Sequence, residues 1–212
     1  MEREPATTTT ARVVAGYERA AATLIPRYEA FSTPGLLEPV LHLLPPAPRS
    51  VLDVGAGTGR DAAWFARHGA RVLAVEPVGP FRRAGRSMHP SDRIIWVDDT
   101  LPSLDRVPAG ASGFDVILLN GVWHHLAPSA RGAAIVSLRE RLALSGLLVV
   151  SLRHGPAPSQ RPGFDVSADH TAAAFDQLGL SLAHREARGS IQAANQALGV
   201  TWTWLALRRR DE

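Results

Sequence analysis

Three acidic positions and one glycine-rich turn carry the first chemical signal. Asp53-Val54 closes a short apolar run and leads into Gly55-Ala56-Gly57-Thr58-Gly59. Glycines in such a turn permit left-handed backbone and let a ligand approach the main chain closely. The dinucleotide pattern G-x-G-x-x-G requires glycine at its sixth position. Counted from Gly55, that position is Arg60. A carboxylate on Asp53 also repels a pyrophosphate, whereas it attracts a ligand bearing ammonium and sulfonium groups. Glu76 stands roughly 20 residues beyond the turn, at the end of a second apolar run, where an acid accepts ribose hydroxyls. Asp98 and Asp99 follow a third run. An acid there accepts an adenine amino group, and Asp98 is the favoured one.

A second group of residues follows later apolar runs. Asn120-Gly121-Val122-Trp123-His124-His125 comes after 114–119. Imidazole titrates near neutrality, so His124 or His125 is either a general base or a cap of the next helix. Trp123 reads as a pocket wall or a core residue. Arg153-His154 follows the run 147–152. Arg153 either clamps a carboxylate or phosphate of a bound molecule or pairs with Asp165, and Arg161 carries the same two readings. Tyr17 and Tyr28 are spaced to share a helical face, with Pro26 between them.

Elements must bring these positions together. Helical periodicity covers 11–24, and Pro26 is expected to interrupt or end that helix. Thr7–Thr10 reads as disordered or as a cap. A short helix is expected over 36–44, and Pro45-Pro46-Ala47-Pro48 is a stiff linker. Strands at 51–54, 71–75, 93–97, 114–119 and 147–152 alternate with helices at 60–68, 80–88, 129–144 and 168–178. Two more strands follow at 181–186 and 200–207. This alternation predicts an α/β fold with a mostly parallel sheet and helices on both faces. Residues 1–48 are expected to form a helical lid and linker, and 49–212 the ligand-binding domain.

Composition narrows the class. The chain has 212 residues, enough for one α/β domain with a buried core, and no cysteine, so disulfides, thiolate metal sites and cysteine nucleophiles are excluded. All 23 Lys or Arg residues are arginine, yet the net charge is only +3. That small excess, without a basic stripe, argues against nucleic-acid binding. Arg82, Arg83 and Arg86 read as a solvated helix face, and Arg208–Arg210 as a solvated tail. No apolar run is long enough for a membrane span, and Met1–Pro5 shows no signal-peptide pattern. A cytoplasmic location is expected.

From 50 to 208 the chain resembles the class I S-adenosylmethionine-dependent methyltransferases of types 11 and 12. The resemblance rests on Val51-Leu52-Asp53-Val54-Gly55-Ala56-Gly57-Thr58-Gly59, Val75-Glu76-Pro77, Asp98-Asp99 before Leu101-Pro102, Phe114-Asp115-Val116-Ile117 with Trp123-His124-His125-Leu126, and Gly146–Ser151. It implies a Rossmann-like seven-stranded sheet with an antiparallel last strand. It implies that Asp53, Gly55 and Gly57 hold the methionine moiety of S-adenosylmethionine, Glu76 the ribose, Asp98 with Asp99 the adenine, that Asn120 lies beneath the sulfonium, and that Ala56, Gly59 and Pro77 also belong to the cofactor site. S-adenosylhomocysteine is then the product. Leu144-Ser145-Gly146 stands where the family carries Pro-Gly-Gly, as the turn before the fifth strand. Base-methylating relatives carry Asn/Asp-Pro-Pro-aromatic at 120–123, and this chain does not. The expected function is methyl transfer to oxygen or nitrogen of a small molecule, with Tyr17, Tyr28, Trp123, Arg153 and His154 around the acceptor and no metal. A methyltransferase acting on RNA or protein, or a non-catalytic cofactor-binding module, is the alternative.

Overall fold

The computed structural model describes residues 6–108 and 110–210. Met1–Pro5, expected to lack a signal peptide, lies outside them. The elements in order are α1 (Ala6–Glu29), α2 (Thr33–Leu41), β1 (Ser50–Val54), α3 (Arg60–Arg67), β2 (Arg71–Val75), α4 (Gly79–Met88), β3 (Ile94–Val97), β4 (Phe114–Leu119), α5 (Arg131–Arg141), β5 (Leu142–His154), α6 (Ala168–Gln177), β6 (Leu180–Gly189), α7 (Ala193–Gln196) and β7 (Thr201–Arg209). One sheet carries the strands in the order β3-β2-β1-β4-β5-β7-β6. Its first five strands run parallel, and β7 runs antiparallel to both β5 and β6. This is the expected Rossmann-like architecture.

The central strands β1, β2 and β4 and the middle of β5 are largely apolar on both faces because helices cover both, whereas the edge strand β6 is mostly exposed. Leu52, Val54, Ile117, Leu119, Leu148 and Val150 face a cluster with Ile135, Leu138 and Phe175. Val51, Val72, Val116, Leu118 and Val149 face the opposite cluster with Leu37, Val40 and Phe65. Strand order reverses between β1 and β4, so a crevice opens beyond their carboxyl ends. Asp53, Glu76 and Asn120 all stand at that edge.

Three local expectations are corrected. Pro26 does not end α1, which continues to Glu29. Leu24, Tyr17 and Tyr28 pack against Val78 and Phe81 of the α4 region on both sides of the proline, and that packing outweighs the lost helical hydrogen bond. Leu144-Ser145-Gly146 is no turn: β5 runs through it from Leu142, which pairs with Phe114 across a bulge. Arg208–Arg210 is no solvated tail either. Arg208 and Arg209 donate to the Ser145 and Leu142 carbonyls, and Arg210 pairs with Asp176. Among the described residues no helix is long and apolar enough to cross a membrane.

Candidate functional site

A single cavity of ≈ 560 Å³ gathers residues from both ends of the chain, within the ~300–1,000 Å³ range of small-molecule sites. Asp53, Gly55–Thr58, Glu76–Val78, Asp99–Leu101 and Asn120–Val122 line one part of it. Val13, Val14, Tyr17, Tyr28, His124, His125, Arg153, Arg161, Ile191 and Trp202 line the remainder.

The glycine turn divides its work. Gly57 has φ +58 and lines the cavity, where a Cβ would meet only the Tyr28 ring, at 3.8 Å. Gly59, at φ +78, is required for a different reason: a Cβ there would lie 2.6 Å from the Trp96 ring. Gly59 therefore packs the turn onto Trp96 and does not line the cavity.

Two carboxylates are buried beside this turn. Glu76 accepts the Gly57 N–H at 2.7 Å on Oε2 and the Val78 N–H at 2.8 Å on Oε1. Burial nonetheless pushes its carboxyl up to about 7, against the pull of those N–H groups and Arg82. Asp53 is 2 % exposed, and its Oδ2 has no partner among the described residues. Burial first, and then the nearby Asp61 charge, push Asp53 well above the usual carboxylate range. A buried acceptor without a donor is costly, and a cationic or N–H-bearing ligand in the cavity removes that cost.

Asp61 is a site residue that the sequence reading missed. Its Oδ1 accepts the Thr33 hydroxyl at 2.7 Å and Arg60 Nε at 2.9 Å, and its Oδ2 accepts Arg60 Nη2 at 2.9 Å and Asn120 Nδ2 at 3.1 Å. Ser151 donates to Asn120 Oδ1. Arg60 Nη1 donates to the Tyr28 carbonyl at 2.8 Å. This network joins α1, α2, α3 and the β4 end. An acid in the first turn of a helix is ordinarily read as dipole compensation, which hides the role from sequence.

The two aspartates after β3 separate. Asp98 turns outward onto Arg82 at 2.7 Å, with Arg106 at 3.6 Å, and it does not line the cavity. Asp99 does, with its carboxylate accepting the N–H groups of Thr100, Arg106 and Val107. Arg82 also donates to the Glu76 carbonyl, so it is a brace rather than part of a solvated face.

On the far side, Tyr17 and His125 form a pair, with the hydroxyl 2.9 Å from Nε2. His125 Nδ1 lies 2.8 Å from the Pro162 carbonyl. A carbonyl only accepts, so Nδ1 carries the proton and neutral Nε2 accepts the Tyr17 hydroxyl. Burial pushes His125 down to about 4 and Tyr17 up. His124 is 5 % exposed and stacks on His125 at 4.0 Å, with Nδ1 unpartnered among the described residues. Burial holds it well below the usual imidazole range. Trp123 is fully buried against Phe175 and leaves the cavity clear. His154 bonds the Thr203 hydroxyl and lines a neighbouring hollow.

The segment between β5 and α6 supplies both Arg161 and the Pro162 carbonyl. It rests on α1 at Gly16, where a Cβ would lie 1.8 Å from the Gln160 carbonyl oxygen. Gly16→Ala ought to strengthen the helix by about 1 kcal/mol on propensity. It is expected instead to displace this segment and destabilise the chain by about 1–3 kcal/mol in chemical denaturation, and unchanged or raised stability counts against the contact.

Comparison with known proteins bears on the family and the fold. A family model described as a methyltransferase domain matches residues 28–206. An uncharacterized methyltransferase of Mycobacterium bovis is 30% identical over 92 residues, 43% of this chain and 36% of that protein. Another from the same organism is 29% identical over 117 residues, 53% of this chain and 58% of that protein. The chain thus matches less than two thirds of the length of these relatives. The crystal structure of Burkholderia thailandensis 1,6-didemethyltoxoflavin-N1-methyltransferase, with bound 1,6-didemethyltoxoflavin and S-adenosylhomocysteine, superposes with a TM-score of 0.78. It is 21% identical and covers 100% of this chain and 93% of its own. The N-methyltransferase NodS of Bradyrhizobium japonicum, in complex with S-adenosylhomocysteine, gives 0.64 at 19% identity over 84% and 85%. At these identities the likeness is one of fold.

Proposed function

The chain belongs to the methyltransferase family whose domain covers residues 28–206, and from that premise we propose that it transfers a methyl group from S-adenosylmethionine to a nitrogen or oxygen of a small molecule. The observation that carries the cofactor reading is the unpartnered buried Asp53 Oδ2 beside Glu76, in a cavity walled by the glycine turn. Asp53 and the Gly55–Gly57 backbone would hold the amino-acid end, Glu76 the ribose hydroxyls, and Asp99 with Pro77 and Leu101 the adenine. Asn120, fixed by Asp61 and Ser151, would stand beneath the reacting centre. When bound, the cofactor supplies a methyl group on an electrophilic sulfonium. The chain's own task is then to orient the acceptor and take its proton.

Tyr17 and His125 are placed for that task. The Tyr17 oxygen can accept a hydrogen bond from an N–H or O–H acceptor while donating to Nε2. A proton leaving the acceptor passes to Nε2 through this hydroxyl, and the Pro162 carbonyl holds the resulting imidazolium at Nδ1–H. Trp123 and α1 leave cavity space beyond the cofactor residues, which favours catalysis over a plugged binding module. The neighbour named as a 1,6-didemethyltoxoflavin-N1-methyltransferase favours a small acceptor over RNA or protein.

The decisive experiment incubates the protein with methyl-labelled cofactor and a fractionated cell extract. Label in small molecules supports the proposal. Label in RNA or protein alone rejects the acceptor class, and absence of transfer to any fraction rejects the enzyme reading. A thermal-shift comparison checks the cofactor: S-adenosylhomocysteine raises the melting temperature and NAD does not.

A pH dependence follows from Glu76. Its carboxyl titrates at about 7, above the ordinary 4.5, and only the ionised form accepts both ribose hydroxyls without surrendering its backbone donors. Affinity for S-adenosylhomocysteine should therefore fall about tenfold from pH 8 to pH 6. The sign for the ligand-free chain is opposite: stability from this group is present below pH 4.5 and lost as pH rises through 7. Calorimetric titration across that range, with Glu76→Gln flattening the profile, is the check. A flat wild-type profile contradicts the assignment.

A further inference from the structure

Resting on the methyltransferase reading, we infer that the acceptor is an anion whose carboxylate or phosphate docks between Arg153 and Arg161, beside the Tyr17–His125 pair.

Charge is segregated within the cavity. The buried carboxylates Asp53, Asp61 and Glu76 stand around the glycine turn, where the cofactor reading uses them. The acceptor part shows the reverse. Among the described residues, Arg153 makes one hydrogen bond, to the Gly155 carbonyl at 3.1 Å, and no ion pair. Asp165 shares the neighbouring hollow with it but is not its partner. The Arg161 guanidinium stands 5.1 Å over the Tyr17 ring and likewise pairs with no carboxylate among the described residues. The two arginines repel one another and both act on Tyr17. Both are half-buried.

Two half-buried guanidiniums without a counter-charge are unfavourable unless function requires them. Three other arginines at or beside the cavity do have carboxylate partners, Arg60 with Asp61, Arg82 with Asp98, and Arg188 with Glu38 and Glu186, whereas Arg27, which also lines it, is exposed. Planar guanidinium forks match carboxylate and phosphate oxygens two at a time. Val13, Val14, Ile191 and Trp202 supply apolar walls for the rest of the molecule. An acceptor cation would meet two positive charges and is disfavoured.

Placement also links binding to chemistry. Both arginines lower the basicity of His125 by their charge. An anion between them cancels that field, so the imidazole becomes a better proton acceptor only when the acceptor is seated.

The test uses benzoate, phenyl phosphate and neutral benzamide as probes, titrated calorimetrically into the full chain saturated with S-adenosylhomocysteine and, separately, into the chain alone. At least one anion should bind ten or more times tighter than benzamide. Arg153→Gln and Arg161→Gln should each reduce that affinity at least tenfold, about 1.4 kcal/mol, while S-adenosylhomocysteine affinity stays within about twofold of wild type. Benzoate binding alone identifies a carboxylate, and phenyl phosphate binding alone a phosphate. Benzamide binding equal to the anions, no anion binding, or anion binding indifferent to both substitutions overturns the inference. Anion binding in a chain that itself shows no binding of S-adenosylhomocysteine leaves the arginine site standing and removes the cofactor assignment instead.

Discussion

Glu76→Ala is expected to abolish S-adenosylhomocysteine binding, a loss of at least a hundredfold read as the disappearance of the ligand-induced rise in melting temperature. Hydrogen bonds to a charged acceptor contribute about 1.5–3 kcal/mol each, and two ribose hydroxyls meet this carboxylate in the proposed complex. The loss should exceed those two bonds. Glu76 also accepts Gly57 N–H and Val78 N–H, so its removal unties the turn that walls the cavity. The melting temperature of the ligand-free variant is a poor readout, because a costly buried charge is removed while two N–H groups are orphaned. The ligand-induced shift cancels both effects. Asp53→Ala should behave alike, through loss of the acceptor at the amino-acid end. Retention of the shift in both variants would place the site elsewhere.

Tyr17→Phe carries the second large effect, on turnover rather than binding. The substitution keeps the ring that packs against Phe81 at 5.9 Å and beneath Arg161, and removes only the hydroxyl that joins the acceptor to His125 Nε2. General-base assistance contributes about 10²–10⁴-fold, so label incorporation should fall by that range with S-adenosylhomocysteine affinity unchanged. His125→Gln should fall equally, and the double variant no further, since the two act as one unit. Because His125 is held down to about 4, the wild-type rate should stay level as pH falls from 8 to 6 once cofactor is saturating. A drop with a midpoint near the ordinary imidazole value would mean that the ring is not buried against Pro162 as described. Full activity of Tyr17→Phe would show that positioning alone drives transfer.

Most residues of the proposed cofactor half are local in the sequence. Asp53 and the glycine turn lie within seven consecutive residues, and Glu76 and Asp99 occupy strand ends set by short apolar runs. Elsewhere, long-range packing chose between local options that are equal in the sequence. Asp98 and Asp99 are adjacent and chemically identical, and Arg82 on α4 decides which one faces out. Pro26 looked like a helix stop, yet Phe81, 55 positions away in the chain, holds tyrosines on both sides of it. Gly59 resembled Gly57 until Trp96 separated their roles.

The sequence by itself determined the sheet, its covering helices and the acid-rich crevice, because hydrophobic period, turn glycines and strand-end carboxylates act within a few residues of one another. Only the tertiary structure decided the acceptor half. Tyr17, His125, Arg153 and Arg161 come from four separated segments. Their pairing depends on how α1 and the segment after β5 pack together at Gly16. No spacing rule spans a contact made by side chains 108 positions apart, and the lack of a counter-charge for two arginines among the described residues becomes visible only in the folded chain.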